Sequence, residues 1–531
     1  MLRRLTLTLL LTASLASAVS AAEPAPGKSK IRVLRNTTIL LGPLDSQGYV
    51  DYGAAINKRF GQGVRPADNA LVGYLELTGP DYGAPDEYYQ ALGMTKPKYE
   101  ADYFCDWTLW ADKKYGFGSP QSEQFGEEHF DVELSDWKTG KFPLVAEWLK
   151  DNEFYLNRFL EVTKRSRYYR PLVPQVAVGA SSDNGKPYSP WLGLAVDAEG
   201  VEDSKSIAEA LKIRAQMRIA ERQFVLARED ILAMHRWGRL LASGPTAADI
   251  KAGYQVEVNA AWTRRKFIEQ VGTDVEEIRP LLKELLRLPP LPPPTAELER
   301  SSRYIFLDAV QRTAQADFIP LRRLDYLRSR NSKVGEPTPA DIERFAKIDY
   351  EKVMRDGNKW FDRAQAAMKV PDRTKEERAA DLMELEQEQS KKKFADRDET
   401  ATSVLNLIHD GELAEYLVAA FHPKPANLRW WIEWAAQESD FIVVAYALAL
   451  HRAEVGRYPD RLAELKPLYL PSIPRDRYAG DELKYRRDGR KYALYNVGRN
   501  GIDEGGKNGF FNQDSTDTSD DEFFRLRVGS K

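Results

Sequence analysis

Between residues 224 and 243 the apolar positions recur every three or four residues. Phe224, Ala227, Ile231, Met234, Gly238 and Leu241 fall on one side of a helix. Gly244-Pro245 ends the stretch, and Thr246 with Asp249 has the spacing of a capping box that opens the next helix. The same periodicity predicts helices over 142–165, 203–223, 273–288, 297–316, 339–354 and 375–418, with shorter ones over 51–60 and 67–77. Pro280 lies inside one of them, where its missing N–H predicts a kink. Residues 289–294, reading PPLPPP, predict a stiff polyproline spacer. The charged run at 384–393 reads as the solvated face of a helix.

Other stretches break the pattern. Residues 31–41 read as a strand. Residues 79–140 are rich in Tyr, Trp, Asp and Gly without a sustained period, which predicts packed loops or a functional surface. Phe441, Val444, Ala445, Leu448 and Val455 form a last amphipathic helix, stopped by Gly456. Residues 483–487 and 490–495 flank Asp488-Gly489, a type I′ hairpin signal, and 523–528 alternates as a third strand. The expected organisation is a leader over 1–22, an irregular N-terminal region over 23–140, a helical body over 141–435 and an α+β module over 436–531. The fold class is mainly α, with helical hairpins. No fixed internal repeat separates an irregular solenoid from a closed α/α arrangement.

Composition changes the picture in three ways. The 531 residues carry 77 Lys or Arg against 80 Asp or Glu, a formal net charge of −3, which argues against bulk nucleic-acid binding. One cysteine excludes an internal disulfide framework, and five histidines leave little for histidine-rich metal chemistry. Residues 1–22 combine Arg3 and Arg4, an apolar run from Leu5 to Leu15 and small residues up to Ala22, the pattern of a secretory signal peptide. Its removal takes the net charge to −5. With no later apolar run long enough to span a bilayer, the expected location is periplasmic or secreted, with no transmembrane segment in the mature chain.

The C-terminal module carries a resemblance. GRYP at 456–459, YLPSIPRD at 469–476, KYALYNVGRNGIDEGG at 491–506 and DDEF at 520–523 occur in order around the hairpin. Together they resemble the globular part of the major pseudopilin of type II secretion systems. The rest of the chain is similar to an uncharacterised group of secreted bacterial proteins with the same tail. In pseudopilins the matching loop binds calcium, so the resemblance implies a Ca2+ site at Asn500, Asp503, Asp520 and Asp521. Calcium favours several oxygens on a turn-rich loop. Gly498, Gly501, Gly505 and Gly506 would let the backbone bend there. Asp514 and Asp517 are spare ligands. Asn500 stands where the family usually has Asp, and 507–519 is a longer insert. A solvated acidic loop is the competing reading. The module sits behind roughly 400 residues of other sequence, more than a typical domain, so a filament subunit is not the expected role.

No Gly-rich phosphate loop, nucleophile elbow or HExxH is present, and no catalytic residue is assigned. Cys105 in YFCDW reads as a buried thiol. Glu127, Glu128 and His129 read as a surface cluster. His409 with Glu412 reads as a helix end, His235 as a core or boundary residue and His451 as a polar-face residue. Trp107 and Trp110, and Trp430, Trp431 and Trp434, form local clusters, which suit core packing or stacking on sugar faces. The leading expectation is a non-enzymatic interaction or structural protein of the cell envelope, partnered by an envelope protein or secretion component. The alternative is an α-helical carbohydrate-active enzyme on an envelope or extracellular polysaccharide, using two carboxylates that the fold brings together. A client or accessory of a secretion machine is a third reading, suggested by the tail alone.

Overall fold

The computed structural model describes residues 31–81, 84–99, 102–138, 140–173, 199–293, 295–296, 301–318, 320–321, 337–369, 384–385, 413–421, 425–489, 491–498, 501–507 and 523–524. The expected leader and the charged run at 386–393 lie outside them. Helix dominates: sixteen α-helices and one small sheet among the described residues.

The first seven helices are α1 (Tyr52–Gly61), α2 (Ala70–Thr78), α3 (Asp86–Leu92), α4 (Trp107–Tyr115), α5 (Pro120–Leu134), α6 (Pro143–Asp151) and α7 (Glu153–Val162). Two sequence expectations fail here. Residues 31–41 form turns rather than a strand, because Thr37 and Thr38 donate their backbone and hydroxyl hydrogens locally, mainly to Leu34. The 79–140 stretch is not irregular; it contains α3, α4 and α5. They start on Pro85, Asp106 and Ser119, and Asp106 and Ser119 cap them with side-chain oxygens. Helices α3 and α4 have only seven and nine residues, and the buried side of the fifteen-residue α5 mixes Phe125 and Val132 with Glu128 and His129, so no apolar stripe marks it.

Next come α8 (Glu199–Ala220), α9 (Phe224–Ala242) and α10 (Ala247–Val271). Thr246 and Asp249 form the reciprocal capping box that the spacing predicts. Helices α8 and α9 are antiparallel, with Trp237 Nε1 donating to the Ser204 carbonyl (2.9 Å) and Arg214 reaching Asp230 (2.5 Å). Between α9 and α10 the crossing is close: a Cβ on Gly253 would lie 2.4 Å from both the Gly238 carbonyl oxygen and the Ala242 nitrogen. Helix α11 (Val275–Leu285) carries Pro280 inside it. Then follow α12 (Arg303–Ala314), α13 (Pro339–Ala346), α14 (Tyr350–Lys369) and α15 (Leu413–Phe421). The expected helix over 339–354 is therefore two, broken at Lys347 and restarted at Tyr350.

Helix α16 (Pro425–Val455) is 31 residues long. It runs unbroken through position 436, where the C-terminal module was expected to begin. Beyond it, β1 (Lys484–Asp488) and β2 (Lys491–Tyr495) form the expected hairpin, with Asp488 paired to Lys491, and Gly489 takes φ +57°. Strand β3 (Phe523–Phe524) pairs antiparallel with β2, giving the order β1-β2-β3.

Among the described residues three large apolar cores and a small fourth one, where Ile250 and Tyr254 meet Ala296, Ile432 and Ala435, hold the molecule. One joins α2–α7 to the inner faces of α8–α10 through Phe125, Trp148, Phe159 and Trp237. A second packs residues 31–56 against α12–α15. It is reinforced where Arg32 forms a forked ion pair with Glu351 (2.8 Å) and Gln311 bonds both the N–H and the carbonyl of Val50. The third is shared by α8–α11, by α16 from Phe441 to Leu450, and by the tail through Tyr458, Leu465, Leu470, Leu483 and Leu494. No helix of the described residues is long and apolar enough to cross a membrane.

Candidate functional site

Of the four residues that the pseudopilin resemblance implies for calcium, only Asp503 lies in the described structure. Asn500, Asp520 and Asp521 fall outside it, as do Asp514 and Asp517. Asp503 sits on an exposed loop after β2. Its Oδ1 accepts from the Tyr495 hydroxyl and the Gly505 amide, both at 3.0 Å. Its Oδ2 lies 3.7 Å from Lys484 Nζ. Partial desolvation raises its pKa, but these donors and the Lys484 charge outweigh it, so the carboxyl is held below its usual value. Gly498, Gly501, Gly505 and Gly506 all have positive φ, the bending expected of them. Among the described residues no three His, Cys, Asp or Glu side chains converge as a metal group.

The loop is anchored from below. Asp476, 1% exposed, accepts from the Tyr478 and Ala479 amides on one oxygen and from the Val497 amide on the other. Buried Asn496 accepts from the Gly498 amide. The YLPSIPRD and YNVG segments are thus stitched together by one carboxylate. This gives the loop a fixed base.

The densest chemistry lies elsewhere, between α9, α10 and α16. His235 and Glu257 are fully buried, with His235 Nδ1 2.8 Å from Glu257 Oε2. Arg239 pairs with the other Glu257 oxygen. Arg264, 1% exposed, donates to Ser439 Oγ (3.0 Å), and Tyr446 donates to the Arg264 carbonyl (3.0 Å). Two guanidinium groups, Arg239 and Arg264, already act on this pair. A proton on His235 would add a further buried positive charge, so burial and Arg264 push it down to about 4. The same arginines hold Glu257 down at about 2 against its own burial. Neutral His235 then donates from Nδ1 to Glu257. Its Nε2, the Arg264 Nε and the Gln437 Nε2 have no hydrogen-bond partner among the described residues. This is an oriented carboxylate–imidazole pair, but it is sealed from solvent and serves packing as it stands.

Two further buried ion groups escaped the sequence reading. Asp230 takes Arg214 (2.5 Å) and Arg218 (2.7 Å) at 0% exposure. Asp249, besides capping α10, is gripped by Arg170 through Nε (3.0 Å) and Nη2 (3.2 Å). Charges placed in an otherwise apolar stripe were the available signal: Arg214 follows Ile213, and Asp230 precedes Ile231.

Other expectations change. His129 is no surface residue; at 4% exposure it stacks on Trp107 (4.2 Å between ring centres) beside Phe125 and Trp148. Glu128 is buried too, because it accepts from the Leu144 and Val145 amides and so caps α6, whose Phe142 offers no side-chain cap. His451 is buried rather than on a polar face, with Nδ1 2.9 Å from the Arg457 carbonyl. His235 is a core residue, as read. Cys105 is free and half-buried, its thiol pushed up by desolvation. Trp110 is core, whereas Trp430 and Trp431 have side chains outside the described set, as do His409 and Glu412. No family model, no curated protein and no solved structure matches this chain.

Proposed function

We propose that the chain is an exported interaction protein of the cell envelope or its surroundings, using its C-terminal module as a docking unit, with calcium as a stabilising ion of the 498–521 loop. The proposal assigns it no catalysis of its own. One observation carries it: the module shares a core with the helical body. Leu465, Leu470 and Leu494 pack in the same cluster as Ile278, Leu281 and Phe267. Polar ties add to this, since Arg279 pairs with Glu454, Arg264 donates to Ser439 Oγ (3.0 Å) and Tyr446 donates to the Arg264 carbonyl (3.0 Å). A unit held this way is rigidly presented, not tethered. Its outer side exposes Leu468 (70%) and Ile502 (61%), apolar residues that gain from a partner and cost solubility without one.

The test uses the full chain with its own leader in a Gram-negative host. The expected result is a shortened form in the periplasm or medium. A photo-crosslinking residue at Leu468 or Ile502 should give one discrete adduct with an envelope protein, and one at Lys251 should not. Retention of the full-length form in the cytoplasm would overturn the reading.

A further inference from the structure

Every residue of α2 from Ala70 to Leu77 is buried except Glu76, which is also the one charged residue of that helix. Glu76 borders a groove of about 520 Å3 between α2, Pro66 and residues 93–98, a size within the roughly 300–1,000 Å3 of small-ligand sites. The segment 93–98 leaves α3 at Gly93 in the left-handed region (φ +66°) and runs close to Pro66: a Cβ on Gly93 would lie 2.9 Å from that ring. Pro66, Val72, Met94 and Pro97 make the lining largely apolar. Two opposite charges, Glu76 and Lys98, share the groove without pairing. Glu76 reaches only Arg165, at 3.6 Å, beyond hydrogen-bonding distance. Exposed Lys98 has no partner for its ammonium among the described residues. Lys96, by contrast, is committed: its ammonium donates to the Ala84 carbonyl (3.2 Å) and lies over the Tyr89 ring. The main chain beside it is open. The N–H groups of Thr95 and Lys96 and the carbonyls of Thr95, Lys96 and Pro97 make no hydrogen bond among the described residues.

We propose that this groove binds a short free peptide, a di- or tripeptide with an apolar side chain. Each observation selects one part of the ligand. A carboxylate and an ammonium that share a groove without pairing complement a zwitterion, whose terminal ammonium meets Glu76 and whose terminal carboxylate meets Lys98. Main-chain donors and acceptors left open along 95–97 suit another peptide backbone laid beside them, as when a strand is added to a free edge. The apolar lining takes the ligand's side chain out of water. A longer chain would carry its terminal charges apart, so the paired charges favour a free short peptide over an internal segment of a protein. The inference goes beyond the docking role of the C-terminal module and uses none of its residues.

Isothermal titration of the full chain with the tripeptide Ala-Leu-Ala, and with its N-acetylated and C-amidated forms, tests it. The free tripeptide should bind saturably, and each capped form should bind with a Kd raised by about tenfold. Glu76→Gln should weaken the free peptide by about the same factor and leave the acetylated one unchanged. Lys98→Gln should weaken the free peptide likewise and leave the amidated one unchanged. Both side chains are exposed, so both variants should unfold at nearly the wild-type temperature, and loss of binding is not loss of fold. No saturable binding of the free tripeptide at millimolar concentration, equal binding of both capped forms, or unchanged affinity in both variants would each overturn the proposal.

Discussion

The buried charges are where single residues matter most. Asp249 closes the capping box of α10 and neutralises Arg170, which bonds both of its oxygens and Thr246. Asp249→Ala would take the carboxylate from a buried guanidinium and the cap from α10, so we expect a loss of about 3–5 kcal/mol, read from the urea midpoint. Asp249→Asn, which keeps a capping oxygen, should lose less. His235 predicts a pH dependence. The folded chain protonates it only near pH 4, the unfolded chain near 6.5. Between those values the unfolded state holds more protons, so stability falls as pH drops through the window, by up to about 3 kcal/mol. Glu257, held at about 2, adds a loss of the same sign at lower pH. Urea titrations at pH 7 and pH 4.5 on wild type and His235→Gln check this; equal pH slopes in the two proteins would refute it. At the loop, Lys484 stands beside the Asp503 oxygen that an ion would need. Lys484→Gln should therefore tighten calcium binding by the full chain, and Asp503→Ala should abolish it, by titration calorimetry.

At the scale of elements, the closest contact is the α9–α10 crossing. A Cβ on Gly253 meets backbone on α9 at 2.4 Å, which no side-chain rotation relieves. Gly253→Ala should push the helices apart and cost about 1–3 kcal/mol, measured as a lower thermal midpoint. An equally stable variant would show that the crossing has slack. Elements also show what the sequence can disclose. Helix α9 was legible because its stripe repeats over several turns, the start of α10 because Thr246 and Asp249 have capping-box spacing, and the hairpin because Asp488-Gly489 is a local turn signal. Helices α3–α5 were not, since α3 and α4 are short and the buried side of α5 includes Glu128 and His129, which interrupt any apolar stripe. The buried ion groups were hidden for a different reason. Asp230 with Arg214, and Asp249 with Arg170, are partnered across different elements, and a single chain read in order does not show which charges meet. Trp262 belongs to the same case: it is visible in sequence as one of eleven tryptophans, but its exposure depends on what packs around α10.

For the whole molecule, the shared core predicts a common fate for body and tail. Leu494 is fully buried in the cluster that holds α11 and α16. Leu494→Ala should cost about 2–5 kcal/mol, and the loss should appear in the amide exchange of α11 and α16 as well as in the hairpin. Protection lost from the hairpin alone would mean that the tail opens as a separate unit.

The 31 residues of α16 have a further consequence, for the order in which the protein comes into being. A ribosome or export channel delivers the chain from its N-terminus, so the apolar faces of α9–α11 arrive about two hundred residues before Phe441–Leu450 and still longer before Leu494. Residues 31–56 likewise await α12–α15, with Arg32 and Glu351 separated by 319 positions. Contacts this distant along the chain form late. The second and third cores therefore complete only after residues beyond 300 have emerged, whereas the first, contained within residues 70–260, has all its parts well before then.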